Sequence, residues 1–232
     1  MGLGFESQRC HKNLFIMSKK KILVIAPHAD DEVLGCGGYL LHQAKLGAEI
    51  WIVIGTVGGL DKRQKFDVRH RELVAVLRNL NAKGFYIYKD KDAMLDTISS
   101  YELTKKIDAY IDSFRPDEIF INYRSRHQDH IKMYDCAMAS IRLREGYMPK
   151  FVALYEYPFV SDGLDIVRGG KVYHDITDVI DTKTRLFGLY ESQVRRPPSP
   201  LNSNGIKTLA AIRGLECGMK YAEMFYVQKM VL

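Results

Sequence analysis

A chain of 232 residues, 47% hydrophobic and with seven prolines, suits one α/β domain and excludes bulk disorder. Its net charge of +6 disperses 34 cations among 28 acids with no aromatic-basic module, which argues against nucleic acid as a partner. No apolar run reaches the roughly 18–20 residues of a membrane helix, and the four scattered cysteines, Cys10, Cys36, Cys136 and Cys217, form neither a disulfide framework nor a cysteine-type zinc site.

Residues 1–16 lack the apolar middle and small-residue cleavage site of a secretory signal. They read as an N-terminal extension, disordered or an artefact of the start or a tag, with Met17 as an alternative initiator. The domain is expected over 17–232, in a cytoplasmic protein with Cys36 and Cys136 as small core residues. Lys19, Lys20 and Lys21 lead into a first apolar strand over 21–27. Directly after it comes His28-Ala29-Asp30-Asp31-Glu32, and a helix is expected over 32–46. The glycines of Gly35-Cys36-Gly37-Gly38 do not spell a dinucleotide loop; they let this helix approach the sheet. Strands are expected at 49–55, 85–89, 118–123 and 151–157, and helices at 65–80, 100–114 and 131–143. A second motif, His127-Gln128-Asp129-His130, follows the fourth strand. Beyond it the periodicity predicts a strand over 171–176 at a sheet edge, helices over 179–190 and 207–220, and a closing strand over 222–229. Arg195-Arg196-Pro197-Pro198-Ser199-Pro200, running on to Asn204-Gly205, is a long loop, since three prolines preclude a helix or central strand.

The alternation of strands and helices predicts a single Rossmann-like α/β domain, a mainly parallel sheet flanked by helices. Right-handed crossovers place the C-terminal ends of its parallel strands on one edge, where ligands gather. Both histidine motifs would then face one point. Histidines and a carboxylate converging there suit a catalytic divalent metal with a position left for water, and a spare carboxylate can take a proton from that water. The plainer alternative makes Asp30 and Asp31 mere caps of the following helix; that accounts for neither His28 nor the second cluster.

These residues resemble the PIG-L/LmbE-like superfamily of metal-dependent N-acetylglucosaminyl deacetylases. His28-Ala29-Asp30-Asp31-Glu32 matches its His-Pro-Asp-Asp-Glu core with Ala29 in place of proline, and His127-Gln128-Asp129-His130 matches its His-x-Asp-His motif. Arg69-His70-Arg71-Glu72, Tyr155-Glu156-Tyr157, Lys183, Ser192-Gln193 and Tyr221–Phe225 fall in family-like order, so the resemblance spans about 20–228. It implies that His28, Asp31 and His130 bind the metal, usually zinc. It makes Asp30 the general base, and His127, oriented by Asp129, the oxyanion stabiliser or proton donor. Arg69 matches a substrate-binding position; its plainer alternative is a helix-surface ion pair with Glu72. Two histidines and a carboxylate also suit ferrous iron.

The implied activity is hydrolysis of the N-acetyl group of an N-acetylglucosamine-type conjugate to acetate and a free amine. Rival expectations are an amidase acting on another acyl group or a thiol-sugar conjugate, a silent sugar-binding protein, and a structural helper in glycan assembly. Arg124, Arg126, Arg195 and Arg196 would favour an anionic substrate if they faced the pocket. A homo-oligomer fits the resemblance too.

Overall fold

The computed structural model describes residues 19–58, 64–158 and 170–232; the extension expected at 1–16 lies outside them. Seven strands form one sheet in the order β3-β2-β1-β4-β5-β7-β6. In chain order β1 is Lys21–His28, β2 Glu49–Thr56, β3 Lys83–Tyr88, β4 Glu118–Asn122, β5 Phe151–Tyr155, β6 Lys171–Asp175 and β7 Ala222–Met230. The first five strands are mutually parallel, whereas β7 runs antiparallel to both β5 and β6. The helices are α1 Asp31–Lys45, α2 Gln64–Asn79, α3 Ser100–Phe114, α4 Gln128–Ser140, α5 Ile180–Gly188 and α6 Ser203–Cys217. Among the described residues, no helix is long and apolar enough to cross a membrane.

Strand β1 reads as a continuous apolar run because both of its faces are covered, as a central parallel strand requires. Ile22, Val24 and Ala26 join the core under α1, α2, α5 and α6, while Leu23 and Ile25 join the core under α3 and α4. Burying each of these valine, leucine and isoleucine side chains contributes on the order of 1.5–3 kcal/mol. The amphipathic helix α3 shows the complementary logic: Leu103, Ile107, Ile111 and Phe114 recur at helical spacing and are its buried residues. The order around β1 reverses, with β2 on one side and β4 on the other. That reversal is the switch point of an open α/β sheet, and its crevice lies beyond the strands' carboxyl ends.

Helix α1 is broken at Cys36, where φ is −135° and ψ 17°. A break releases backbone groups that a continuous helix would pair, and two distant charged side chains take them up. Lys183 of α5 donates from Nζ to Leu34 O at 2.9 Å and pairs with Glu223 Oε1 at 2.7 Å. Glu223 of β7 accepts the N–H groups of Gly38 at 2.7 Å and Tyr39 at 2.8 Å. Both charged residues are buried. The glycine run lets the broken helix sit close: a Cβ on Gly35 would lie 2.0 Å from the Tyr155 ring, and one on Gly38 2.5 Å from Ile176 Cγ2. Cys36 and Cys136 are buried free thiols, as expected of core residues.

Candidate active site

The chain leaves β1 through a strained turn. Asp30, at the N-cap of α1, has φ 135° and ψ −30° and makes no side-chain cap bond, so simple helix capping does not explain it. Such a backbone costs a non-glycine residue about 1–3 kcal/mol and persists only when its surroundings impose it. Here they do. Glu32 Oε2 accepts the Asp30 N–H at 3.0 Å, Asp31 Oδ2 accepts the His28 N–H at 3.1 Å, and Arg69 Nη2 donates to Ala29 O at 2.8 Å. The buried Tyr190 hydroxyl donates to the other oxygen of Glu32.

The turn and the start of α4 bring His28, Asp31 and His130 together. Asp31 Oδ2 lies 3.5 Å from His28 Nδ1 and 3.4 Å from His130 Nε2, and all three residues are buried. Ligand atoms at ~2.1 Å from a tetrahedral centre stand ~3.4 Å apart, so the separations fit a shared divalent ion. The remaining His28 nitrogen, Nε2, is 2.9 Å from Asp129 Oδ2. Asp129 is held in turn by the N–H groups of Ala93 at 2.7 Å and Leu95 at 2.8 Å. A carboxylate behind a histidine in this way fixes the ring and its tautomer for a metal. A second grouping, His28 with His127 and Asp129, uses this same bonded pair.

Expected site residues and their observed contacts differ in two places. The resemblance has Asp129 orient His127, yet its carboxylate serves His28; only its backbone N–H reaches His127, donating to Nδ1 at 3.2 Å. That bond leaves the proton of a neutral His127 ring on Nε2. His127 is half-buried, its ring 5.2 Å from that of His28 and 5.3 Å from that of His130. Arg69 does not pair with Glu72 on the helix surface. It is buried, and its Nη2 lies 3.7 Å from Asp30 Oδ1. Glu72 instead accepts from the N–H and hydroxyl of Ser192.

The electrostatics divide the two aspartates. Burial, reinforced by the neighbouring Asp31 charge and only partly offset by Arg69, pushes the Asp30 carboxyl up to about 8. Burial also opposes ionisation of Asp31, but His130 and the bonds from His28 outweigh it and hold that carboxyl at about 2. Burial alone would lower His28; hydrogen bonds to Asp129, Asp31 and Asp92 override it and raise its affinity for a proton. The pocket thus attracts a cation between His28 and its carboxylates. His130 is lowered to about 4 by burial, and so presents a neutral ring.

Three further residues belong to this neighbourhood. Asp92 reaches His28 Nε2 at 3.2 Å and Arg69 Nη1 at 3.8 Å. Its signal in the sequence is its place after the third strand, on the functional edge of the sheet. Tyr157 lays its ring 4.7 Å from that of His130, and Tyr190 supports Glu32. The other histidines among the described residues lie apart: His42 bonds His174, and His70 stacks on Phe66. Of the arginines, Arg124 reaches Asp135, Arg195 donates to the loop carbonyls of Ser192 and Val194, and Arg126 and Arg196 are exposed.

A profile of the PIG-L family, GlcNAc-PI de-N-acetylase, matches residues 23–141, which hold both motifs. The uncharacterized deacetylase YaiS of Escherichia coli (strain K12) is 30% identical over 133 residues, covering 53% of this chain and 69% of that protein. N,N'-diacetylchitobiose deacetylase from Pyrococcus horikoshii shares the fold with a TM-score of 0.73 at 22% identity, over 91% of this chain and 84% of its own. The 4-carboxy-2-hydroxymuconate hydratase GalB from Pseudomonas putida KT2440 shares it as well, with a TM-score of 0.71 at 18% identity over 92% of this chain and 98% of its own. The fold by itself therefore does not select the reaction.

Proposed function

From the premise that this chain belongs to the PIG-L family, we propose that it is a metal-dependent deacetylase that hydrolyses the N-acetyl group of an amino-sugar conjugate, releasing acetate and a free amine. The observation that carries the reading is the buried triangle of His28, Asp31 and His130 with the spare carboxylate of Asp30 beside it. Those three residues would hold the ion, and zinc is the ion proposed, on the two-histidine, one-carboxylate donor set; ferrous iron suits the same donors. When bound, a divalent ion supplies Lewis-acid polarisation of an amide carbonyl and acidifies water.

The chain's own groups do the rest. Asp30 takes the proton of the attacking water in its ionised form. Arg69, 3.7 Å away, and a cation held by the triangle would together favour that form against the burial that raises its pKa. His127, with its proton directed to Nε2 by the Asp129 N–H, donates to the developing oxyanion or to the departing nitrogen. Asp129 holds the His28 ring in its ligating orientation through Nε2. Asp92 and Arg69, polar and adjacent, supply hydrogen bonds for sugar hydroxyls.

The test is acetate release from a panel of N-acetyl sugars, including N,N'-diacetylchitobiose, phosphorylated and nucleotide-linked forms. Metal-loaded protein, chelated protein and Asp30→Asn are compared. Release that needs metal and falls about 10²–10⁴-fold in the variant supports the reading. Stoichiometric zinc with no release from any member refutes it and favours another acyl amide or a binding role.

A further inference from the structure

We propose that Tyr190 is a positioning residue for Asp30, acting through Glu32 to stop the Ala29–Asp30 peptide from flipping; this rests on the role proposed above for Asp30. The peptide unit between residues 29 and 30 is held at both of its polar ends. Its carbonyl accepts from Arg69 Nη2 at 2.8 Å, and its N–H donates to Glu32 Oε2 at 3.0 Å. That plane sets the 135° φ of Asp30, and with it the direction in which the Asp30 carboxylate leaves the backbone. A residue so far from its preferred backbone returns to ordinary φ when a restraint is lost. Glu32 is the restraint on the N–H side, and it lies two residues along the same strained turn. Its own anchor is the Tyr190 hydroxyl on Oε1.

Tyr190 is itself rigidly placed. Its N–H donates to Phe187 O at 2.9 Å, and its carbonyl accepts from the N–H of Gln193 at 2.8 Å. Two residues on, Ser192 is clamped by both oxygens of Glu72. Glu72 stands one turn along α2 from Arg69, so a single helix fixes the Tyr190 turn and the carbonyl of the strained peptide. Tyr190 is fully buried, and its polar contact is directed at Glu32. Its hydroxyl bonds Glu32 rather than Asp30 or the ligand triangle, so the restraint it places on the Asp30 backbone runs through Glu32.

The test pairs Tyr190→Phe with Glu32→Gln, which keeps an acceptor for the Asp30 N–H and a donor toward Tyr190. One readout needs neither metal nor substrate: the backbone amide resonance and hydrogen-exchange rate of Asp30 in the metal-free full chain. We expect Tyr190→Phe to shift that resonance and speed its exchange at least about tenfold, and Glu32→Gln to leave it protected. Leu103→Ala in α3, a destabilising core change in the opposite layer, should leave it in place. The second readout is turnover of N,N'-diacetylchitobiose, for which kcat falls about 10–100-fold while KM stays within about twofold, the size of effect a displaced reacting group produces. An unchanged Asp30 amide in Tyr190→Phe overturns the proposal, as does unchanged kcat in an active enzyme. If the wild-type protein turns over no substrate, the activity assignment fails and the amide readout alone decides the role of Tyr190.

Discussion

The buried pair that splints the broken helix α1 yields the most demanding prediction. Lys183 and Glu223 are 3% and 4% exposed, so water cannot replace a lost partner. Lys183→Met keeps the side chain's bulk but leaves the Glu223 carboxylate with only the Gly38 and Tyr39 N–H groups. Glu223→Gln removes the counter-charge of the Lys183 ammonium and leaves it only two neutral acceptors, the Leu34 carbonyl and the amide oxygen it shares with the Gly38 N–H. Breaking one side of a buried ion pair costs about 3–5 kcal/mol. In a chain of this size that is a fall in Tm of roughly 6–20 °C, at about 2–4 °C per kcal/mol. The double variant buries no net charge. The amide oxygen introduced at position 223 still accepts the Gly38 N–H, and what remains is the Tyr39 N–H and the Leu34 carbonyl without partners, at about 1 kcal/mol each. The double variant should therefore be less destabilised than the sum of the singles by at least about 2 kcal/mol. Urea unfolding of the four proteins, read as midpoint and slope, measures this. Single changes below about 1 kcal/mol that simply add would refute the splint.

Three other outcomes follow from the site and its frame. Asp129→Asn should weaken zinc binding about 10–100-fold by removing the anchor of His28, measured by competition with a chelator; unchanged affinity would place the role of Asp129 elsewhere. Gly35→Ala drives a Cβ to 2.0 Å from the Tyr155 ring. Overpacking of that kind costs about 1–3 kcal/mol, visible as a lowered urea midpoint. His174, packed against Tyr39 and His42 with Glu223, Asp175 and Asp178 around it, has a pKa lowered by burial and by His42. As pH falls through about 6.5 the unfolded chain takes up a proton that the folded His174 resists. Its share of stability is thus present above that pH and lost below it. His174→Asn should shrink the difference in unfolding free energy between pH 7.5 and 5.5, and an unchanged difference would contradict the argument.

The parallel strands were legible because strands covered on both faces leave long Ile, Leu and Val runs, and both histidine motifs stood at the ends of such runs. Strand β3 begins at Lys83 rather than 85, because Gly84 carries no strand signal of its own. Helix α4 begins at Gln128 rather than 131, since a histidine ring accepting the Asp129 N–H is an N-cap that residue type alone does not announce. The partners of charged groups were the least readable. Spacing along α2 suggested an Arg69–Glu72 pair, but Arg69 meets the turn after β1 and Glu72 meets Ser192, 120 residues away. The choice of Asp129 between His28 and His127 likewise depends on side-chain directions that only the packed sheet edge fixes.

The backbone at position 30 carries a tension for anyone who would improve this protein. Its conformation suits glycine, and its carboxylate is what the proposed chemistry requires. A library selected for heat tolerance alone would gain by placing glycine there, and its winners would be sturdier proteins without turnover. With the role proposed for Asp30, robustness and activity are opposed at this one residue, so engineering for one must screen for both.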